Sequence, residues 1–340
     1  MRFLPALPAL AVALVACGGS PAGAAGPGGE APSAGEAPPA PGASETSGAP
    51  EAGGSAIGEA ADDALAAVEG RTEDFADATT LAALKKKLVP ASLEGVGRLD
   101  LSGRALGPGL GKLLAGTSAL SGVGALDVSD NNLKADGVGA LAKAKGLGEL
   151  RQLDLGGNDI GDAGVSALGK STSLRSLIVL NLSGNAIGPA GARSLASAGL
   201  LERIQSLDLS MNPIGPDGVR ILASSSSIGE LRSLYLLGCE IGAAGASHLA
   251  SASGLRSLSV LALSGNNIGD AGAKALAGAT LLARATTLDL SANGIGDAGA
   301  KALAGSPHLG ALRSLEMFGN DLSPAGREAL KKRFPKALKL

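Results

Sequence analysis

At 340 residues the chain is long enough for two or three ordinary domains, but internal repetition overrides that prior. Its 53 glycines, one tyrosine, four phenylalanines and absence of tryptophan, set against 45% hydrophobic residues, make any core aliphatic. Twenty-nine basic and 31 acidic residues leave a net charge of -2, so the whole chain has no electrostatic attraction to nucleic acid or anionic lipid, and its two cysteines exclude a disulfide framework.

The first element is a processing signal. Arg2 supplies positive charge, and Phe3 to Ala16 form an apolar run too short to span a hydrocarbon core comfortably. The run ends Leu14-Val15-Ala16-Cys17-Gly18. That ending resembles the lipobox of bacterial lipoproteins, and the resemblance implies a signal peptide over 1–16, an acylated Cys17 as the mature N-terminus, and sorting to the outer membrane because Gly18 follows the cysteine. Ordinary secretory cleavage after an alanine is the alternative. From Gly18 to Ala56 the chain holds seven prolines, four glutamates and no lysine or arginine. Such a composition cannot bury enough surface to offset chain entropy, so 17–56 is expected to be a disordered tether behind the lipidated cysteine.

The next expectation is a helical cap over 57–91, with its helix from Thr72 to Val89. Glu73, Asp74 and Asp77 come early and Lys85, Lys86 and Lys87 late, the charge order favoured by the helix dipole. Beyond it, over 92–340, the sequence repeats with a constant 27-residue period and no insertion. Leu99-Asp-Leu, Leu126-Asp-Val, Leu153-Asp-Leu and six further copies, ending with Leu315-Glu-Met, stand in register. Five residues after each first leucine comes Asn131, Asn158, Asn185, Asn212, Asn266, Asn293 or Asn320, with Arg104 and Cys239 as exceptions.

The pattern Leu-x-Leu-x-x-Asn resembles leucine-rich repeats, and the following Ile-Gly-Asp-Ala-Gly-x-x-x-Leu-Ala at Ile268 and Ile295 is similar to their ribonuclease-inhibitor-like class. The fold expected is therefore an α/β leucine-rich-repeat solenoid, a horseshoe arc of nine repeats with a parallel concave sheet and convex helices. The columns support it independently. Alternating leucines mark a short strand with one buried face. Nine residues after the first leucine, proline, alanine or aspartate marks a helix start: Pro108, Pro189, Pro216 and Pro324 lack an N–H that would be orphaned there, and Asp162, Asp270 and Asp297 suit the positive dipole end. Two residues later a glycine column implies close approach of neighbouring backbones. The asparagines are expected to form a buried polar ladder in which Cys239 is structural.

The last helix is expected to start at Ser323-Pro324 and to stop at Pro335. Its basic run Lys331, Lys332, Arg333, Lys336 and Lys339 is either a solvated cap surface or a contact for anionic lipid or nucleic acid. No catalytic constellation, cofactor motif or metal-ligand spacing is present: His248 and His308 fall in different repeats and columns, and Arg104 is at most a weak candidate finger for GTPase activation.

The middle strand residues Asp100, Asp127, Asp154, Asn181, Asp208, Tyr235, Ala262, Asp289 and Glu316 make an acidic column. It is either a structural ladder held by neighbouring serines, or a surface for a basic protein or weakly bound divalent cations. Departures from the repeat nominate a protein-binding patch of Tyr235, Leu237, Val260 and Phe318 bordered by Asp208, Asp289 and Glu316, suited to an apolar anchor with nearby positive charge, with drift of surface residues as the alternative. The expected role is a membrane-anchored, non-catalytic binding module of the bacterial envelope. A passive spacer or a GTPase regulator is the alternative. No nucleic-acid partner or small-molecule substrate is implied.

Overall fold

The structure is a computed structural model that describes residues 68–340. The expectations on the signal peptide, Cys17, the tether and the first part of the cap lie outside the described residues. Eleven short strands form one parallel sheet in strict chain order: β1 (Arg71–Glu73), β2 (Val96–Asp100), β3 (Ala125–Asp127), β4 (Gln152–Asp154), β5 (Val179–Asn181), β6 (Ser206–Asp208), β7 (Ser233–Tyr235), β8 (Val260–Ala262), β9 (Thr287–Asp289), β10 (Ser314–Glu316) and β11 (Leu338–Lys339). Ten helices lie along it: α1 (Leu81–Lys87), α2 (Pro108–Ala115), α3 (Lys134–Leu141), α4 (Gly161–Gly169), α5 (Pro189–Ala196), α6 (Gly215–Ala223), α7 (Gly242–Ala250), α8 (Gly269–Ala277), α9 (Asp297–Ala304) and α10 (Pro324–Arg333). Pairing from β2 to β10 keeps the offset of one full repeat, as in Leu99↔Leu126 and Leu288↔Leu315. Strands stack about 4.8 Å apart and helices about 8–10 Å apart, so the stack bends with the sheet on the inner side.

One side of each strand builds the core. Leu99, Leu101, Leu110 and Leu114 are fully buried, and their equivalents repeat along the solenoid. The asparagine ladder forms as expected. Asn158 Nδ2 donates to the carbonyls of Val128 in the preceding repeat, at 3.0 Å, and of Leu155 and Gly156 in its own turn. Its Oδ1 accepts from the N–H groups of Asn131 and Leu133, both at 3.1 Å. Each asparagine thus satisfies buried backbone groups in two repeats, which would be costly to leave unpaired.

The helix-start column does more than the sequence implied. Asp162 Oδ1 accepts from Gly188 N and Gly191 N, both 2.8 Å, so it caps the helix of the next repeat, α5. Asp270 does the same for α9 through Gly296 and Gly299, and Asp297 accepts from the Ser323 N–H at 3.0 Å ahead of α10. The glycine column makes room for this carboxylate. A Cβ on Gly191 would stand 2.5 Å from Asp162 Oδ1, and one on Gly299 would stand 2.7 Å from Asp270 Oδ1.

The expected helix over Thr72–Val89 is corrected. Only Leu81–Lys87 is helical, with Thr80 Oγ1 accepting from Ala83 N, and residues 71–73 form the edge strand β1 instead. β1 and α1 begin one repeat length before Arg98 and Pro108, so the cap is a degenerate copy of the repeat. A strand here pairs with the edge of β2 and satisfies backbone groups that would otherwise be left open. Arg104 clamps it: its guanidinium donates to the carbonyls of Asp74, Phe75, Ala78 and Asp100. Asp74 lies 30 residues before Arg104, the spacing over which each asparagine reaches the preceding repeat, so arginine takes the ladder position at the first junction. At the other end α10 ends on buried Phe334, and the tail returns as β11 against β10.

Candidate functional site

The open face of the sheet is the side of the strands away from the helices. Its middle column is tied down by local hydrogen bonds. Asp100 Oδ1 accepts from Ser102 N at 3.0 Å and from Ser102 Oγ at 2.7 Å, and Asp127 repeats the arrangement with Ser129. Asp154, Asp208 and Asp289 accept from the N–H two residues on, and Asn181 Nδ2 donates across to Asp154 Oδ2 at 3.0 Å. Each of these aspartates therefore serves the turn that follows its strand, which favours the structural ladder over an open acidic surface. Among the described residues no strand carries more than one acid, and no group of three or more histidines, cysteines or acids converges as a metal site.

The ladder carries electrostatic strain. Burial, with the Asp127 charge next door, pushes Asp154 up to about 6 despite the bonds from Gly156 and Asn181. Burial raises Asp127, Asp208 and Asp289 as well, against the lowering effect of their serine partners.

The nominated patch divides. Tyr235, Val260 and Ala262 form a small apolar cluster separate from the main core, with Leu237 packed against it. Tyr235 is only 5% exposed and Val260 1%. Phe318 is not part of that cluster: it lies three repeats beyond Leu237 and is 47% exposed. Of the bordering acids, Asp208 and Asp289 serve the turn contacts above, and Glu316 is ion-paired at 3.1 Å with Lys339 of the returning tail. That pairing was not visible in the repeat columns, because β11 follows β10 at a shorter interval than the repeat.

Cys239 is fully buried within the asparagine ladder. Its thiol lies 3.1 Å from the Leu209 carbonyl, and burial pushes it up to about 12, so it is unreactive. Having no Oδ1, it leaves the Ile214 N–H to turn back onto the Asn212 carbonyl at 2.7 Å. In most repeats the residue after the ladder position takes a positive φ, as at Asn132, Asp159 and Asn267, but Pro213 occupies that place here and its ring forbids it.

The family model described as Leucine Rich repeat matches residues 125–142, 150–169, 173–196, 204–223, 254–277, 286–304 and 312–331. This is a leucine-rich-repeat solenoid. The matches pass over residues 224–253, the repeat that holds Tyr235, Leu237 and Cys239. Among solved structures, an internalin from Listeria monocytogenes is 18% identical, with 76% of this chain and 70% of that one covered at a TM-score of 0.44. TLR13, in a complex with ssRNA13, is 22% identical over 75% of this chain at a TM-score of 0.43, and the solenoid spans only 37% of it. No curated protein matches the chain.

Proposed function

We propose that the chain is a non-catalytic protein-binding solenoid of the ribonuclease-inhibitor-like kind, held at a bacterial envelope by an acylated Cys17. A helix of eight or nine residues in each repeat from α2 to α9 supports that subclass. The observation that carries the binding reading is the interruption of the Asp–Ser lattice. Where neighbouring strands spend their open-face positions on hydrogen-bonded turns, β7 and β8 place Tyr235, Leu237, Val260 and Ala262 there, none of which carries a carboxylate or an amide. The partner is a protein that presents an apolar anchor to the half-buried Leu237.

The test is photocrosslinking in intact envelopes from Ser264 on the sheet face and from Lys274 on the exposed side of α8. Adducts with a defined protein from position 264, absent from 274 and lost on Leu237→Ala, are expected. Adducts from 274 alone would reverse the face assignment, and none from either would favour the spacer reading. Anchoring is read separately: Cys17→Ser is expected to abolish palmitate labelling and to release the protein from membranes, and an unlabelled wild type would remove the anchor from the proposal.

A further inference from the structure

The C-terminal cap concentrates an excess of positive over negative charge. Residues 324–340 hold six lysines and arginines against one carboxylate, Glu328. That segment is +5, whereas residues 68–323 balance 22 lysines and arginines against 23 aspartates and glutamates. Lys339 is taken by Glu316. Arg327, Lys331, Lys332, Arg333 and Lys336 are exposed along and just beyond α10, the last helix of the stack. Arg333 also lies 5.2 Å from the ring of Phe334, which fixes its direction at the helix end.

We propose that this cap is a docking surface for an anionic phospholipid bilayer. Four cations within six residues, three of them lysines, form a compact field of point charges that suits a dense plane of lipid phosphates. A single-stranded nucleic acid is less well matched, because such strands are held by stacking on aromatic faces and the one aromatic ring here, Phe334, is buried at 4% exposure. The rest of the described solenoid is close to charge-balanced and carries no net positive excess, so the attraction falls on the cap end and orients it toward the lipid. The proposal rests on the cap alone and does not require an acylated Cys17.

The full chain carrying Cys17→Ser, and so without any lipid of its own, is mixed with vesicles of phosphatidylcholine alone or blended with phosphatidylglycerol, at low and high salt. Sedimentation with the blended vesicles at low salt, and its loss at high salt, are expected. Adding Lys331→Gln, Lys332→Gln, Arg333→Gln and Lys336→Gln should weaken binding by about a hundredfold or more, from the usual contribution of each basic residue near a charged surface. Lys274→Gln with Lys301→Gln, on exposed positions of α8 and α9, should leave it within about twofold, since these lie outside the polybasic segment. A milder Lys332→Gln/Lys336→Gln variant with unchanged circular dichroism guards against misfolding. Equal sedimentation with both vesicle types, no loss in the cap variants, or binding of a single-stranded oligonucleotide in place of vesicles would overturn the proposal. None of these results bears on the photocrosslinking test.

Discussion

Asp154 shows how a repeated residue can be locally useful and collectively unfavourable. Its Oδ1 accepts from Gly156 N at 2.8 Å, yet its carboxylate is half-buried beside Asp127, and it is pushed from the usual 3.8 up to about 6. A folded-state value above the unfolded one means that the associated stability is fully present below about pH 3.8 and is lost as the pH rises through about 6. At pH 7 the ionised group therefore opposes folding. Asn181, in the same column, shows that an amide can serve the turn, since its Oδ1 accepts from Ser183 N. Asp154→Asn should raise stability at pH 7 by about 2 kcal/mol, from up to about 3 for the removed charge less about 1 for the bond from Asn181. The gain should vanish toward pH 4, and urea denaturation at both pH values checks it. A second residue-scale effect couples Pro213 and Cys239. Asparagine at 239 can offer an Oδ1, but the Ile214 N–H reaches it only if residue 213 takes a positive φ. Pro213→Asn alone should be neutral or destabilising and Cys239→Asn alone nearly neutral, whereas together they should stabilise beyond the sum by about 1 kcal/mol in a double-mutant cycle.

At the scale of the element, the helices depend on their neighbours. α9 is preceded by Gly296, which has no side chain to cap it, and the capping oxygen comes from Asp270 one repeat earlier. Asp270→Ala should cost about 1–2 kcal/mol, as for loss of an ordinary N-cap, but with hydrogen-exchange protection lost at Gly296 and Gly299 and kept within the mutated α8. Loss of protection in α8 instead would show that Asp270 acts on its own helix. The sequence made the helix starts legible because proline and aspartate share a column, and the strands legible because leucines alternate. It did not reveal that the aspartate reaches forward 26 to 29 residues, since a first-turn acid and a neighbour's cap look the same in one dimension. β1 escaped notice for a similar reason: Thr72 and Glu73 carry no leucine signature, and the run of acids before lysines fits a helix equally well. Only the repeat period, extended backward from Leu99 and Pro108, would have found it.

For the whole molecule, stability is close to a sum over repeats and the interfaces between them. The acidic column was readable as a repeated position and the nominated patch as departures from it, but their burial was not, because it depends on how closely successive strands stack. The ion pair that ties Glu316 to Lys339 was hidden because the tail breaks the period. Junctions between repeats are not equal. Between the repeats of β6 and β7 the ladder meets Cys239, which has no Oδ1, and with Pro213 in the turn the Ile214 N–H bonds back to Asn212 instead of across to the next repeat. A small apolar void lined by Leu207, Val219, Leu222, Leu236 and Leu249 lies at the same junction. Elsewhere the asparagines act as rivets from one turn to the next. Under tension between the N-terminal end and the cap, the solenoid would part first at this seam, leaving two blocks, one carrying the Arg104 clamp and the other the Tyr235 cluster and the basic end. A force applied across the molecule would thus be relieved at one joint set by two residues, Pro213 and Cys239, while both blocks kept their shape.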